Sequence, residues 1–274
     1  MTGPAVVQAV EVTAEHAAGG GRARTLFAPA AGGLQLGRRI VDVPAGAYLD
    51  GAGAPGGELW FVVSGAGRLE SSGHLGLPVG PDRAVMIPPG TRYRLHAAGP
   101  DLHLDAVALP AAAPPGGPGA AGTSAGTDAG TSPDAGTSPD ADAGAGADPA
   151  GPPVAADLAD CAAETTGDRT FRVLFGPARG CAAATQFLGE IPPGRAPSHS
   201  HPYDEVVLVL AGSGVLHLGD DGAAGHQLIP GSCVHLPPGQ PHCLENTGTS
   251  TMRVLGVFHP ADSPAAKIAA TQDP

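Results

Sequence analysis

Along the chain, short apolar runs rich in β-branched side chains stop repeatedly at glycine, proline or aspartate. Residues 205–210, 215–218, 233–236 and 252–258 are such runs, and their length and composition predict strands. Only residues 155–163 carry a competing helical period. Many short strands joined by regular turns make an all-β sandwich or barrel. In the run at 205–210, Val207 and Val209 share one face, while Val206, Leu208 and Leu210 share the other. A strand that is apolar on both faces needs a cover on its outer side. Either a second barrel of the same chain or the other subunit of a homodimer would supply it.

The same pattern occurs twice. Leu26-Phe-Ala-Pro-Ala-Ala-Gly-Gly33 matches Leu174-Phe-Gly-Pro-Ala-Arg-Gly-Cys181, and Glu58-Leu-Trp-Phe-Val-Val-Ser-Gly65 matches Glu205-Val-Val-Leu-Val-Leu-Ala-Gly212. Ile87-Pro-Pro-Gly90 likewise matches Leu236-Pro-Pro-Gly239. A two-fold repeat of this length means duplicated domains, because solenoid periods run about 20–50 residues. The copies are placed at 22–110 and 168–262. Between them, 111–153 is almost wholly Ala, Gly, Pro, Ser, Thr and Asp, with a near-repeat of Ala-Gly-Thr units. Such a segment has nothing to bury and cannot offset the entropy of ordering it. It is expected to be a disordered linker, spanning about 35 Å r.m.s. as a flexible coil.

Composition narrows the classes of partner. The chain has 26 acidic residues against 14 basic ones, a net charge of −12. No stretch is basic enough to neutralise a phosphate backbone, so neither nucleic acid nor an anionic membrane surface is expected as a partner. The N-terminal residues show no charged region followed by an apolar core, and no apolar run approaches a membrane span. The expectation is a soluble, cytoplasmic protein. Cys161, Cys181, Cys233 and Cys243 have no paired spacing, so they are read as free, partly buried thiols.

Chemistry is concentrated in the second copy. His199, His201 and Glu205 share parity, so on an extended chain they project from one face. Two imidazoles and a carboxylate on one face make half of a divalent-metal site. His242, just after Pro237-Pro238-Gly239, supplies a further imidazole at the start of another strand. Cys243 alternates away from His242, and Cys233 is assigned to core packing. His217, His226, His235 and His259 lack a partner at ligand spacing and are read as surface or hydrogen-bonded histidines.

These segments resemble the paired signature motifs of the cupin superfamily. Gly194, His199, His201, Glu205 and Gly212 follow the first motif, with one residue fewer between Gly194 and His199 than the family has. Gly231, Pro237, Gly239, His242 and Asn246 follow the second without a gap. The resemblance covers the second copy and implies two jelly-roll barrels, the C-terminal one holding one divalent transition metal on His199, His201, Glu205 and His242. The metal would be Fe, Ni, Mn, Cu, Co or Zn, and affinity order alone cannot choose among them. In the first copy the corresponding positions are Ala52, Ala54, Glu58 and Tyr93. One carboxylate cannot hold a transition metal tightly, so that barrel is read as degenerate and structural. Glu58 with Tyr93 remains a candidate polar pocket, and Leu59, Phe61 and Val63 are suited to packing against the other copy.

The resemblance implies a small-molecule substrate and two kinds of catalysis. One is dioxygenation of an enolisable or aromatic compound, as in the quercetinases. The other is redox-neutral cyclisation, isomerisation or elimination, as in cupins associated with polyketide cyclisation and in sugar-phosphate isomerases. A non-catalytic protein that binds a metal or small ligand is the third reading. Glu205 is the candidate catalytic residue, as ligand or general base. Tyr203 and His235 are candidates to support the ligands. Val207, Val209 and Leu244 would give an apolar lining.

Overall fold

The computed structural model describes residues 4–17, 19–29, 33–71, 74–111, 151–219 and 224–266. Nearly all of the expected linker at 111–153 lies outside the described residues. Each half of the chain forms a barrel from two antiparallel sheets, one of seven strands and one of four. In the C-terminal barrel the larger sheet includes Thr185–Ile191, Asp204–Ala211, Ser232–Leu236 and Met252–His259. The smaller one joins Gly194–Arg195, His242–Asn246, Gly214–Leu218 and Ala224–Leu228. The N-terminal barrel repeats this plan. Glu58 pairs with Ile87 there as Glu205 pairs with Leu236 in the second copy, so the sequence repeat is also a repeat of register.

The first strand of each half belongs to the sheet of the other half. Ala5–Gln8 pairs with Ser232–Leu236, and Val154–Asp157 pairs with Arg83–Ile87. A single 3₁₀ turn follows each, at Ala9–Glu11 and Leu158–Asp160. The sheets therefore reach beyond the limits 22–110 and 168–262. The helical period at 155–163 yields only that one turn. A helix this short has too few hydrogen bonds to repay its nucleation, whereas the strand completes an existing sheet edge.

The outer face of Asp204–Ala211 is covered by the other barrel. Val206 and Leu208 share one buried cluster with Leu59, Phe61 and Val107 of the first copy, while Val207 and Val209 point into their own barrel. Val63, expected in that interface, is 40% exposed. The ladder to Leu102–Ala108 jumps from Val62 to Ser64 at this point, and such a bulge turns the extra residue outward.

One arginine of the first barrel, itself ion-paired there, bonds across the interface. Arg38 and Asp105 are both fully buried and joined by two bonds, from Nε at 2.8 Å and from Nη2 at 2.9 Å. The same guanidinium donates to the carbonyls of Val206 and Leu255, at 2.8 and 3.1 Å, in the second barrel. The four cysteines are buried and free. No helix among the described residues is long and apolar enough to cross a membrane.

Candidate metal centre

Backbone pairing brings two of the histidines together before any ion is considered. His199 and His242 exchange both main-chain hydrogen bonds, at 3.0 and 2.9 Å. Directly opposed residues in an antiparallel pair send their side chains to the same side, and the two rings lie 4.7 Å apart. His201 arrives differently from the extended-strand expectation. Asp204–Ala211 begins only after Pro202, which has no N–H for a ladder. Residues 201–203 form an irregular turn instead. The Gly239 amide donates to the His201 carbonyl at 2.8 Å, tying the two motifs together. Gly239 has φ +76°, a backbone region where glycine is favoured.

One nitrogen each of His199, His201 and His242 lies within 4.8 Å of the others. Their tautomers follow from their neighbours. The Nδ1 atoms face the carbonyls of Pro197, Ala266 and Gln240, at 3.2, 2.6 and 2.9 Å. A carbonyl only accepts, so each Nδ1 is the donor and Nε2 is the atom that a neutral ring would offer to a metal. Burial, opposed by the Gln240 bond and helped by His199 and His201, pushes the His242 imidazole down to about 3. Three imidazoles in one place, each engaged through Nδ1, are a donor set that fits a divalent transition metal.

Glu205 stands beside this cluster without being part of it. Its carboxylate is buried, 4.0 Å from His201 Nε2, and burial raises it to about 8 against the pull of Arg38. Tyr203 is a supporting residue whose role the sequence only hinted at. Its ring stacks on His201 at 4.8 Å and on Phe258 at 3.9 Å, and its hydroxyl lies 3.1 Å from His201 Nδ1. His235 is not a support: it faces Asp204 at 2.7 Å and Phe27 across the interface. His217 and His259 hold Glu245 and the Ala183 carbonyl, at 2.6 and 2.8 Å, and His226 is exposed. Cys243 donates to the Ala196 carbonyl, and Cys233 packs in the interface. Asn246 of the second motif is structural, donating to Ile191 and Ser250, both at 2.8 Å.

The histidines and Glu205 open on a cavity of about 150 Å³. Phe171, Phe187, Ile191, Val207 and Leu244 give it an apolar wall; Val209 lies deeper in the core. One side of the mouth is the hairpin turn between Glu164–Thr166 and Arg169–Phe175. Gly167 at φ +63° begins its two-residue loop, the position where tight hairpins favour glycine. That register places Arg169 opposite Thr166.

The first barrel has the same frame with a different filling. Trp60, in the place of Val207, is buried and meets Tyr93 edge to face at 4.8 Å. Residue 51, one earlier than counting along the repeat gives, pairs with Tyr93. A Cβ on Gly51 would sit 2.3 Å from the tyrosine oxygen. Glu58 receives both Arg39, at 3.0 and 3.1 Å, and the Trp60 indole, at 2.7 Å. Arg39 also donates to Tyr93 at 3.1 Å. The candidate polar pocket is thus a closed hydrogen-bonded cluster. His96 and His103 lie on the outer surface beside Glu70 and Asp42.

Comparison with known proteins agrees with this division. A model of the cupin domain matches residues 187–258. No curated protein matches the sequence. Among solved structures, a Pseudomonas aeruginosa protein called glyoxylate-induced aligns at TM-score 0.68 and 16% identity, covering 100% of this chain and 93% of its own. Protein Ylba from E. coli aligns at 0.66 and 12%, covering 95% and 93%. A point mutant of Bacillus subtilis oxalate decarboxylase OxdC aligns at 0.69 and 13%, covering 98% and 80%. Residues 187–258 thus match a cupin domain, and the chain as a whole shares the two-barrel fold of these structures.

Proposed function

We propose that the chain is a metal-dependent enzyme whose one catalytic centre is the C-terminal cavity, acting on a small enolisable or aromatic compound. The observation that carries this reading is the convergence of three imidazole nitrogens beside a buried carboxylate in an apolar cavity. His199, His201 and His242 would hold the ion, with Glu205 as a fourth ligand or as the proton-transfer group next to it. Bound there, a divalent ion would stabilise an enolate oxygen and, if redox-active, admit dioxygen. The apolar wall orients the substrate body and keeps water out, which strengthens every charge interaction inside. Glu205, 4.0 Å from His201, can take a proton from the substrate and return it. A related fold occurs in oxalate decarboxylase, a protein with Mn(II) centres.

Dioxygenation is the first reading. Redox-neutral cyclisation, isomerisation or elimination is the second, favoured by the position of Glu205 outside the histidine cluster, where a general base would stand. The test is metal content of the full chain beside His199→Ala/His242→Ala. One ion per chain, absent from the double variant, is expected. Oxygen uptake with enolisable substrates then separates the readings, because redox-neutral turnover continues anaerobically. A chain that takes up no ion when Fe, Ni, Mn, Cu, Co and Zn are supplied refutes the proposal.

A further inference from the structure

We propose that Arg169 is the substrate anchor of the cavity, and that the compound it anchors is a small organic acid bound through its carboxylate. The inference rests on the catalytic reading for its location, and on observations of its own for its chemistry. Among the described residues lining the cavity Arg169 is the sole arginine, and none is lysine. Its side chain is 16% exposed. Nη2 donates to the Leu244 carbonyl, but the buried Nε–H has no hydrogen-bond partner. A buried donor left without an acceptor costs about 1–3 kcal/mol, so a cavity that keeps one is suited to a ligand that supplies the acceptor.

The acids nearby do not fill this role. Asp168 Oδ1 lies 4.0 Å from Nε, beyond hydrogen-bond reach, with its side chain 65% exposed. Glu205 faces His201 instead, 4.0 Å from its Nε2. Burial works against the charge on Arg169 and lowers its pKa, with Cys243 and Asp168 only partly opposing this. An anion at Nε would compensate that burial.

A carboxylate fits better than a phosphate on three counts. A guanidinium edge and a carboxylate share the same two-pronged geometry. One cation balances one negative charge and not two, and the neighbouring Asp168 disfavours a doubly charged ligand further. A cavity of about 150 Å³ with an apolar wall also leaves space for a small hydrocarbon body behind the charged end. Arg169 at the mouth would hold the carboxylate while the remainder of the molecule reaches toward His199, His201 and His242.

Benzoate and its uncharged counterpart benzamide are the probes, titrated by calorimetry into the full chain with and without bound metal. Wild type is expected to bind benzoate at least tenfold more tightly than benzamide. Arg169→Gln should remove that preference while leaving metal content unchanged. Arg169→Lys, which keeps the charge without the fork, should restore part of it. An unchanged benzoate-to-benzamide ratio in Arg169→Gln overturns the proposal, as does a wild type without the preference. Melting temperatures of both variants distinguish lost recognition from lost folding, and the ratio is insensitive to a merely structural role. If the preference depends on Arg169 in a chain that takes up no metal, the anchor stands and the metal-dependent reading fails. If metal binds and Arg169→Gln changes nothing, only the anchor fails.

Discussion

Arg38→Met tests how the two barrels are held together. The substitution keeps an unbranched side chain of similar length but removes the cation that bonds Asp105 twice and the Val206 and Leu255 carbonyls once each. Both partners of the ion pair are 0% exposed, so Asp105 would remain as an uncompensated buried charge. Breaking such a pair from one side costs about 3–5 kcal/mol. For a protein of this size that lowers Tm by about 6–20 °C. Removing both charges is different: Arg38→Met/Asp105→Leu leaves no stranded ion and should recover most of the loss, because buried pairs are often replaceable by apolar residues of similar volume. The pH dependence has a definite sign. Burial already raises the Asp105 carboxyl against the pull of Arg38, and without Arg38 it rises further. A folded-state pKa above the unfolded value makes the variant gain stability as pH falls through it, so its deficit relative to wild type should shrink in acid. Urea denaturation at pH 7 and pH 5 of the wild type, the single variant and the double variant measures all of this. A single-variant cost below about 1 kcal/mol, or a double variant as weak as the single, would refute the claim that the stranded Asp105 charge sets the cost.

Two further outcomes follow from the same geometry. Truncation after Asp262 removes the Ala266 carbonyl that accepts from His201 Nδ1; loss of such a support typically costs 10–100-fold in metal affinity, and competition with a chelating dye should detect it, an unchanged affinity being the contrary result. Asp42 is held below the usual carboxylate range because bonds from His103 and Arg24 outweigh the upward push of burial. Its contribution is therefore present above about pH 4 and lost as pH falls through the lower folded value. Asp42→Asn should cost about 1–2 kcal/mol at pH 7 and almost nothing near pH 2, and equal costs at both pH values would exclude this account.

The histidine cluster was legible because its spacing is local: Pro237-Pro238-Gly239 forces a turn, and His242 follows it at a fixed distance. The repeat likewise located the strand that carries Glu205, and the apolar outer face of that strand implied a covering barrel. Other features depend on contacts between residues far apart in the chain. Ala5–Gln8 is four residues long, and its pairing with Ser232–Leu236 leaves no local periodicity to read. Val63 alternates correctly for burial, yet it is the extra residue of a bulge in its own strand, which turns it out. Parity suggested a strand through His201, where Pro202 instead breaks the ladder. Arg169 carried one sequence signal, a Gly-Asp hairpin turn preceding a rare cation in an acidic chain, but its place at the cavity mouth is a property of the closed barrel.

The exchanged strands change what the connection between the halves is for. Each seven-stranded sheet is finished by a segment from the other half, so neither barrel can be completed from its own stretch of sequence. Two identical single barrels trading their first strands would make a symmetric dimer; here the same arrangement is written into one polypeptide, with one member free to change its interior. Fragments 1–111 and 151–274, made together in one cell, should for that reason find each other and assemble without any peptide link. The covalent join then acts on the odds of meeting, by keeping the right partner always nearby, and the lasting attachment belongs to the traded strands.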